Sequence, residues 1–569
     1  MKLGTAGTEP GQRRLNGPQT TGRTYRNLST ADYTIVQEFN ARATMRDGVT
    51  LLADVYRPDA EGRFPALVAA SPYPRQIQNS GAPMGFVEAG ATDFWVPRGY
   101  VHVIANLRQT NGSGGTWGLH DSAECLDVYD LVEWAAAQPW CDGNVGMIGI
   151  SYFAMTQFSA AVERPPHLRA IFPVAVSLNT QEAFYHNGLA SSTFAITWLR
   201  AVGTFARLDD AFLRGPLVTA ASELLRTPKV HRKMEHRNGE SALALLGSVV
   251  AGHYDPHPWD DDVRAAILDH TVYDAFWSDR DLTSRLKDVQ VPAYIGCDWE
   301  NVPLHLPSTF DALRGLPSDV PVRMAMMGDF GLTWPWESMH VEALAWFDHW
   351  LKQRDTGILE GPKIRYVIRG AGDDWHASDE WPPGNTAAVA FALCADGTLA
   401  SDEGAAGERW YAHLPPEAAS VHTKASPVPE SLAWRTAPLE RDTDFVGPAD
   451  LQLDATITGG DTAWLVALRD IAADGNACDV TAGWRRAALA APDRLEAIQP
   501  GERRTYRIAL VDNAYRFAKG HRIELLLRSD DGGAPEPMMG FRHIAIGIPS
   551  RNTVFSSSRL TLSLVGRTA

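Results

Sequence analysis

The chain has 569 residues, 45% of them hydrophobic, and 52 Lys and Arg stand against 68 Asp and Glu for a formal net charge of −16. Such a length implies ~three or four domains with sizeable cores, and the acidic balance excludes nucleic acid and anionic membrane surfaces as partners, because both require a basic face. Five cysteines at irregular spacing fit neither a disulfide framework nor paired zinc ligands, so a reducing cytoplasm is expected.

Residues 1–32 are polar, lack the apolar run of a signal peptide, and read as a flexible leader. Residues 33–178 alternate strand and helix patterns: Pro65–Ala70, Tyr100–Ala105 and Val145–Ile150 are apolar runs, and Glu124–Gln138 has helical spacing. That alternation implies a parallel sheet with crossover helices. Residues 179–279 change to amphipathic helical stretches at Phe194–Phe205, Pro216–Leu225 and Ser241–Val250, with Trp198, Trp259 and Trp277 among them, and read as a helical insert. The α/β pattern resumes over 280–360 with Val291–Cys297, Val322–Gly328 and the helix Val341–Leu351. Residues 361–569 consist of short alternating strands such as Arg504–Leu510 and His521–Leu527, the pattern of a β-sandwich. No apolar stretch approaches the ~20 residues needed to span a bilayer.

The run Val145-Gly-Met-Ile-Gly-Ile-Ser151-Tyr-Phe-Ala154 is a buried strand, a small residue two before a serine, and a helix-forming segment after it. This is the nucleophile-elbow pattern, which lifts the Ser151 hydroxyl clear of the sheet and offers the Tyr152 N–H to an oxyanion. Gly112-Ser-Gly-Gly115 lacks the Lys-Ser/Thr of a phosphate loop and reads as a turn, and no cofactor or metal is expected.

Several longer segments carry a family resemblance: Met45–Pro58, Ser71-Pro-Tyr73, Gln138–Tyr152, Pro165–Ala170, Trp346–Lys352 and Phe517–Ile523. Through them the chain, from about Tyr33 to Leu564, resembles the cocaine esterase-like (CocE/NonD) hydrolases, relatives of the X-Pro dipeptidyl-peptidases. The resemblance implies an α/β-hydrolase core, an inserted helical cap and a C-terminal jelly roll. It also implies a Ser, Asp, His triad and an oxyanion tyrosine, for which Ser151 and Tyr73 match. At the position of the family's acid stands Asn301, and at that of its histidine stands Leu332. Asn106-Leu-Arg-Gln109 replaces an Asp-x-Arg-Gly element, and Ala154 replaces a glycine.

A serine needs a base, and the base an acid to orient it. In serine proteases the loss of the acid costs roughly 10⁴-fold and of the histidine roughly 10⁶-fold in kcat. The expectation is therefore an enzyme that has left hydrolysis for carbonyl or enolate chemistry on a bulky apolar or aromatic small molecule: carbon–carbon bond formation, elimination or cofactor-free oxygenation. The alternatives are a serine esterase or amidase whose triad is rebuilt from His340 or His305 and a nearby Asp, and a silent binding protein whose jelly roll joins copies into a homo-oligomer. Asp298 and Asp329 are loop acids at strand ends, where α/β active sites form. Asp329 is the candidate new base, His340 a candidate that could swing inward, and Asn301, Leu332, Asp298 and Trp198 the expected substrate contacts. Phe184, Tyr185, Phe194, Trp198, Phe205 and Trp277 supply the insert with rings for an apolar pocket.

Overall fold

The computed structural model describes residues 15–191, 194–235, 260–329, 331–333, 335–401, 404–415, 429–531 and 541–566. Its first sheet is built from β1 (Ile35–Thr44), β2 (Thr50–Pro58), β3 (Phe64–Ser71), β4 (Val101–Asn106), β5 (Cys141–Ile150), β6 (Leu168–Val174), β7 (Ala293–Asp298), β8 (Val322–Met327), β9 (Ile364–Val367) and β10 (Trp375–Ser378). Their order is β1-β2-β4-β3-β5-β6-β7-β8-β9-β10. The pairs from β4 through β9 run parallel, and only the pairs β1/β2, β2/β4 and β9/β10 are antiparallel. A parallel strand is covered on both faces, which is why β4 and β7 are buried at every position and β5 from Val145 onward.

Helices close both faces. Ser122–Ala136 starts at Asp121, whose carboxylate accepts from the Glu124 N–H at 3.0 Å, a cap worth about 1 kcal/mol. Tyr152–Glu163 follows the elbow directly, and His340–Lys352 lies across the sheet with Trp346 and Phe347 wholly buried. The expected α/β-hydrolase core is thus present. The sheet continues past residue 360, however: β9 and β10 add to it, because β9 pairs with β8 through residues 364–366.

Residues 15–32 are not a loose leader. The Thr21 and Ser29 N–H groups donate to the carboxylates of Glu342 and Asp348 at 3.0 and 2.6 Å, and the Tyr25 hydroxyl adds 2.6 Å to Glu342. Two carboxylates on the helix His340–Lys352 thereby bind this segment from more than 300 residues away in sequence.

Between β6 and β7 lies the helical insert, including Thr180–Phe184, Phe194–Ala206 and Pro216–Leu225. The expected helix Ser241–Val250 and Trp259 lie outside the described residues. The C-terminal part is two sheets, one of seven strands and one of four, facing each other over Leu451, Trp464, Leu525 and Leu560. This is the expected β-sandwich. No helix among the described residues is long and apolar enough to cross a membrane.

Candidate active site

Ser151 sits at φ 58, ψ −121, between β5 and the helix Tyr152–Glu163. A non-glycine residue there costs of order 1–3 kcal/mol and persists only when its surroundings enforce it. Here the Ser151 N–H donates to Val174 O at 3.0 Å, while its carbonyl accepts from Ala154 and Met155 at 2.8 and 3.0 Å. Gly149, at φ 134, permits the turn: a Cβ there would lie 2.3 Å from the Phe153 Cβ. Tyr152 opens the helix, so its N–H is among the donors that have no intrahelical acceptor.

Tyr73, two residues after β3, is 3% exposed. Its hydroxyl oxygen accepts from Trp198 Nε1 at 3.1 Å and is hydrogen-bonded to Ser151. Burial, and then the nearby Glu88, push the phenol well above its ordinary value, so Tyr73 stays a proton donor. The Tyr152 ring stacks on Trp198 at 6.1 Å, and its own hydroxyl turns away to Glu124 at 2.8 Å. Tyr152 therefore reaches the serine through its backbone.

Ser151, Tyr73, Tyr152 and Trp198 line one cavity. Phe184 and Phe194 of the insert share the wall. The other expected rings do not: Trp277 is wholly buried, Tyr185 donates to Ile267 O at 2.8 Å, and Phe205 packs edge-on against Phe86 at 5.4 Å.

Two histidines face the same cavity. His305 places Nδ1 3.1 Å from the Ser177 hydroxyl, which itself lies 3.3 Å from Leu304 O. Burial lowers His305 to about 3, so its ring is neutral at pH 7. His120, which the sequence reading passed over, holds Ser159 at 3.1 Å and Thr180 at 3.4 Å, and burial together with Arg280 lowers it to about 4. It stands immediately before the helix cap Asp121, in a loop where Leu119 and His120 both take positive φ, and no motif in the sequence marks it.

Asn301 and Leu332 do converge, although neither lines the cavity. Both are hydrogen-bonded to Asp298: its Oδ1 accepts from the Asn301 amide at 2.5 Å and N–H at 3.2 Å, and its Oδ2 accepts from the Leu332 N–H at 3.4 Å. Burial raises the Asp298 carboxyl, against which these donors act.

Two expectations require correction. His340 cannot swing inward. It is 0% exposed, its Nε2 accepts from the Ala91 N–H at 3.0 Å, and its Nδ1 donates to Ser338 O at 2.9 Å, between the rings of Trp95 and Trp336. Asp329 pairs with Arg369 at 2.5 Å, is about half exposed, and does not line the cavity. Arg369 also donates to Val480 O, so this acid belongs to the junction with the β-sandwich.

Residues 47–328 match the X-Pro dipeptidyl-peptidase (S15 family), and residues 356–538 match the X-Pro dipeptidyl-peptidase C-terminal non-catalytic domain. The chain belongs to the X-Pro dipeptidyl-peptidase (S15) family. Among its relatives is the cocaine esterase of Rhodococcus sp., 27% identical over 554 residues that cover 86% of this chain and 90% of the other. Another is a putative serine esterase of Mycobacterium bovis, 25% identical over 590 residues, covering 86% and 89%. The fold is shared with a CocE/NonD family hydrolase from Staphylococcus aureus, with TM-score 0.72 at 20% identity over 93% of this chain and 94% of that one.

The family match and these esterase-named relatives overturn the expectation that the chain has left hydrolysis for carbonyl or enolate chemistry. Asn301 and Leu332 do not license that inference. The chain is an enzyme of a serine-hydrolase family.

Proposed function

We propose that the protein is a serine hydrolase acting on neutral esters or amides with an aromatic or bulky apolar acyl group. Ser151 is the nucleophile, the Tyr73 hydroxyl and Tyr152 N–H receive the oxyanion, and His305 is the proton acceptor. The observation that carries this reading is the presence of Ser151, in its strained elbow, with Tyr73 and His305 on the wall of one cavity. The hydrolase-named relatives support it independently.

In this mechanism Ser151 Oγ attacks the carbonyl carbon, its proton passes to the imidazole, and the carbonyl oxygen becomes the oxyanion. The imidazolium returns the proton to the leaving alkoxide or amine, and water then repeats the steps on the acyl-serine. Burial leaves the His305 imidazole neutral and able to accept a proton, but by lowering it to about 3 it also makes the ring a weak base, below the near-neutral value that best suits proton transfer. His120 holds a hydroxyl on each ring nitrogen. His305 holds one, Ser177 on Nδ1, together with a hydrogen bond to the Val176 backbone that has to open before the ring takes the serine proton. His305 is preferred for that single hydroxyl.

The substrate class follows from the wall. Among the described residues that line the cavity there is no carboxylate, while Phe184, Phe194, Trp198, Leu119 and Met155 are apolar or aromatic. A substrate with a free α-ammonium group would meet no counter-charge there, whereas a neutral aromatic ester meets matching surface.

Hydrolysis of p-nitrophenyl benzoate and of an aminoacyl-proline p-nitroanilide tests the proposal. The ester should be cleaved with the higher kcat/KM, and Ser151→Ala should lower its kcat by about 10⁴-fold or more. Retention of ester turnover in Ser151→Ala would refute the mechanism, and preference for the aminoacyl substrate would refute the substrate class.

A further inference from the structure

A chain of hydrogen bonds crosses the junction between the β-sandwich and the insert and ends on the loop that carries His305. Asp531 Oδ2 lies 2.7 Å from His543 Nδ1, His543 Nε2 lies 2.7 Å from His186 Nδ1, and His186 Nε2 lies 2.6 Å from the Pro303 carbonyl oxygen. His186 and Asp531 are buried, and the His543 side chain is 5% exposed. The Pro303 carbonyl belongs to the peptide leading into Leu304 and His305, both on the cavity wall.

The three gaps need three protons. The Pro303 carbonyl can only accept, so His186 must carry a proton on Nε2. Two neutral imidazoles hold two protons in all, one short of the number required. The third belongs either to Asp531 as an acid or to a doubly protonated imidazole. Asp531 accepts from the His543 N–H at 2.9 Å as well as from the ring, and Arg528 stands 3.4 Å from its other oxygen. Three donors on one carboxyl group favour the carboxylate. Burial alone would raise Asp531, yet the bonds and charge of His543 outweigh it and hold the carboxyl below its ordinary value. His186 is the neutral member, pushed down to about 3 by burial first and by His543 second.

We infer that Asp531, His543 and His186 form a three-proton relay, with an Asp531 carboxylate and a His543 imidazolium at its centre, that ties the β-sandwich to the Pro303–His305 turn and makes Asp531 and His543 positioning residues for the cavity.

The surroundings enclose the relay. The His186 ring stacks on Trp484 at 4.4 Å, Phe541 stacks on Phe194 at 4.7 Å, and Ile544 N–H donates to Ala190 O at 2.8 Å. In such a low-dielectric site an imidazolium persists only beside its carboxylate. Removing the Asp531 charge therefore removes the third proton and with it one of the links to Pro303. Loss of the hydrogen-bond partner that orients a metal-ligating histidine costs about 10- to 100-fold in activity, and the low end of that range is expected for this orienting carboxylate.

The test uses the full chain labelled with ¹⁵N-histidine, and the relay's effect on the active site rests on the reading of Ser151 as a nucleophile. At neutral pH the His543 signals, assigned by their loss in His543→Gln, should show both nitrogens protonated, and His186 should be the Nε2–H tautomer. In Asp531→Asn, His543 should revert to a single proton. A wild-type His543 with one protonated nitrogen overturns the relay. In parallel, the rate at which a fluorophosphonate labels Ser151 should fall about tenfold in Asp531→Asn and recover in part in Asp531→Glu. A wild-type rate in Asp531→Asn overturns the positioning role. Should the wild-type serine take no label at all, the nucleophile reading fails, and the histidine spectra still decide the relay.

Discussion

Trp198 Nε1 donates to the Tyr73 hydroxyl across 3.1 Å, a hydrogen bond that ties the inserted helices to the oxyanion site of the core. A phenol oxygen that accepts from an indole keeps its own proton to donate, and that proton is what a developing oxyanion requires. Under the proposed mechanism, the same residue of the insert lines the cavity and orients the Tyr73 hydroxyl.

Tyr73→Phe keeps the ring and removes the donor, so kcat for the aromatic ester should fall by about 10²- to 10³-fold with KM little changed. Trp198→Phe keeps an aromatic ring and loses only the N–H, and its kcat should fall by about tenfold. Steady-state kinetics of both variants check this. A wild-type kcat in Trp198→Phe would show that Trp198 does not set Tyr73, and a wild-type kcat in Tyr73→Phe would show that the phenol does not serve the oxyanion.

Gly149→Ala places a Cβ 2.3 Å from the Phe153 Cβ at φ 134, whereas Gly475→Ala at φ 88 meets nothing within 4 Å. Both substitutions are strained at positive φ, Gly149 the more because φ 134 lies well outside the left-handed region, and only Gly149→Ala adds a clash. Urea unfolding should show Gly149→Ala destabilised by at least about 2 kcal/mol more than Gly475→Ala. Comparable midpoints would contradict the packing described for the elbow.

How far the sequence reaches depends on the range of the interaction. The elbow, the strand Val145–Ile150 and the helix Pro216–Leu225 are local patterns, and the structure places them where the pattern predicts. The Asn301 and Leu332 loops meet because β7 and β8 are neighbours. His340 was misread because its partner, the Ala91 N–H, lies 249 residues away. The segment 15–32 looks solvated in sequence because its binding groups are Glu342 and Asp348. His305 and His120 carry no local motif, and only the closing of the insert over the sheet brings them to one wall.

Burial lowers His102 to about 3, with Thr92 2.8 Å from its Nδ1. The native ring stays unprotonated below pH 6.5, where the unfolded ring takes up a proton, so its contribution to stability is full above that pH and declines as pH falls. At pH 5 the loss is about 2 kcal/mol relative to pH 7, from 1.5 pH units at 1.36 kcal/mol each. Glu88, raised by burial, acts in the opposite sense, so the comparison is with His102→Gln, in which the carboxyl contributions cancel. Unfolding free energy should drop by about 2 kcal/mol more in the wild type than in the variant between pH 7 and 5. Identical pH slopes would contradict the neutral buried ring.

Asp329→Asn should leave kcat/KM for the ester within about twofold of wild type, because its partner is Arg369 and not the cavity. A loss of kcat alone, with thermal stability retained, would return Asp329 to the mechanism.

The central claim is that Ser151 is a working nucleophile served by His305. Intact-mass measurement after incubation with a fluorophosphonate tests it most directly, on the wild type, Ser151→Ala and His305→Gln. The prediction is one covalent adduct on the wild type that maps to Ser151, none on Ser151→Ala, and labelling of His305→Gln slowed by about 10³-fold or more. A folded wild-type protein that takes no adduct at Ser151, or a His305→Gln variant labelled at the wild-type rate, would contradict it.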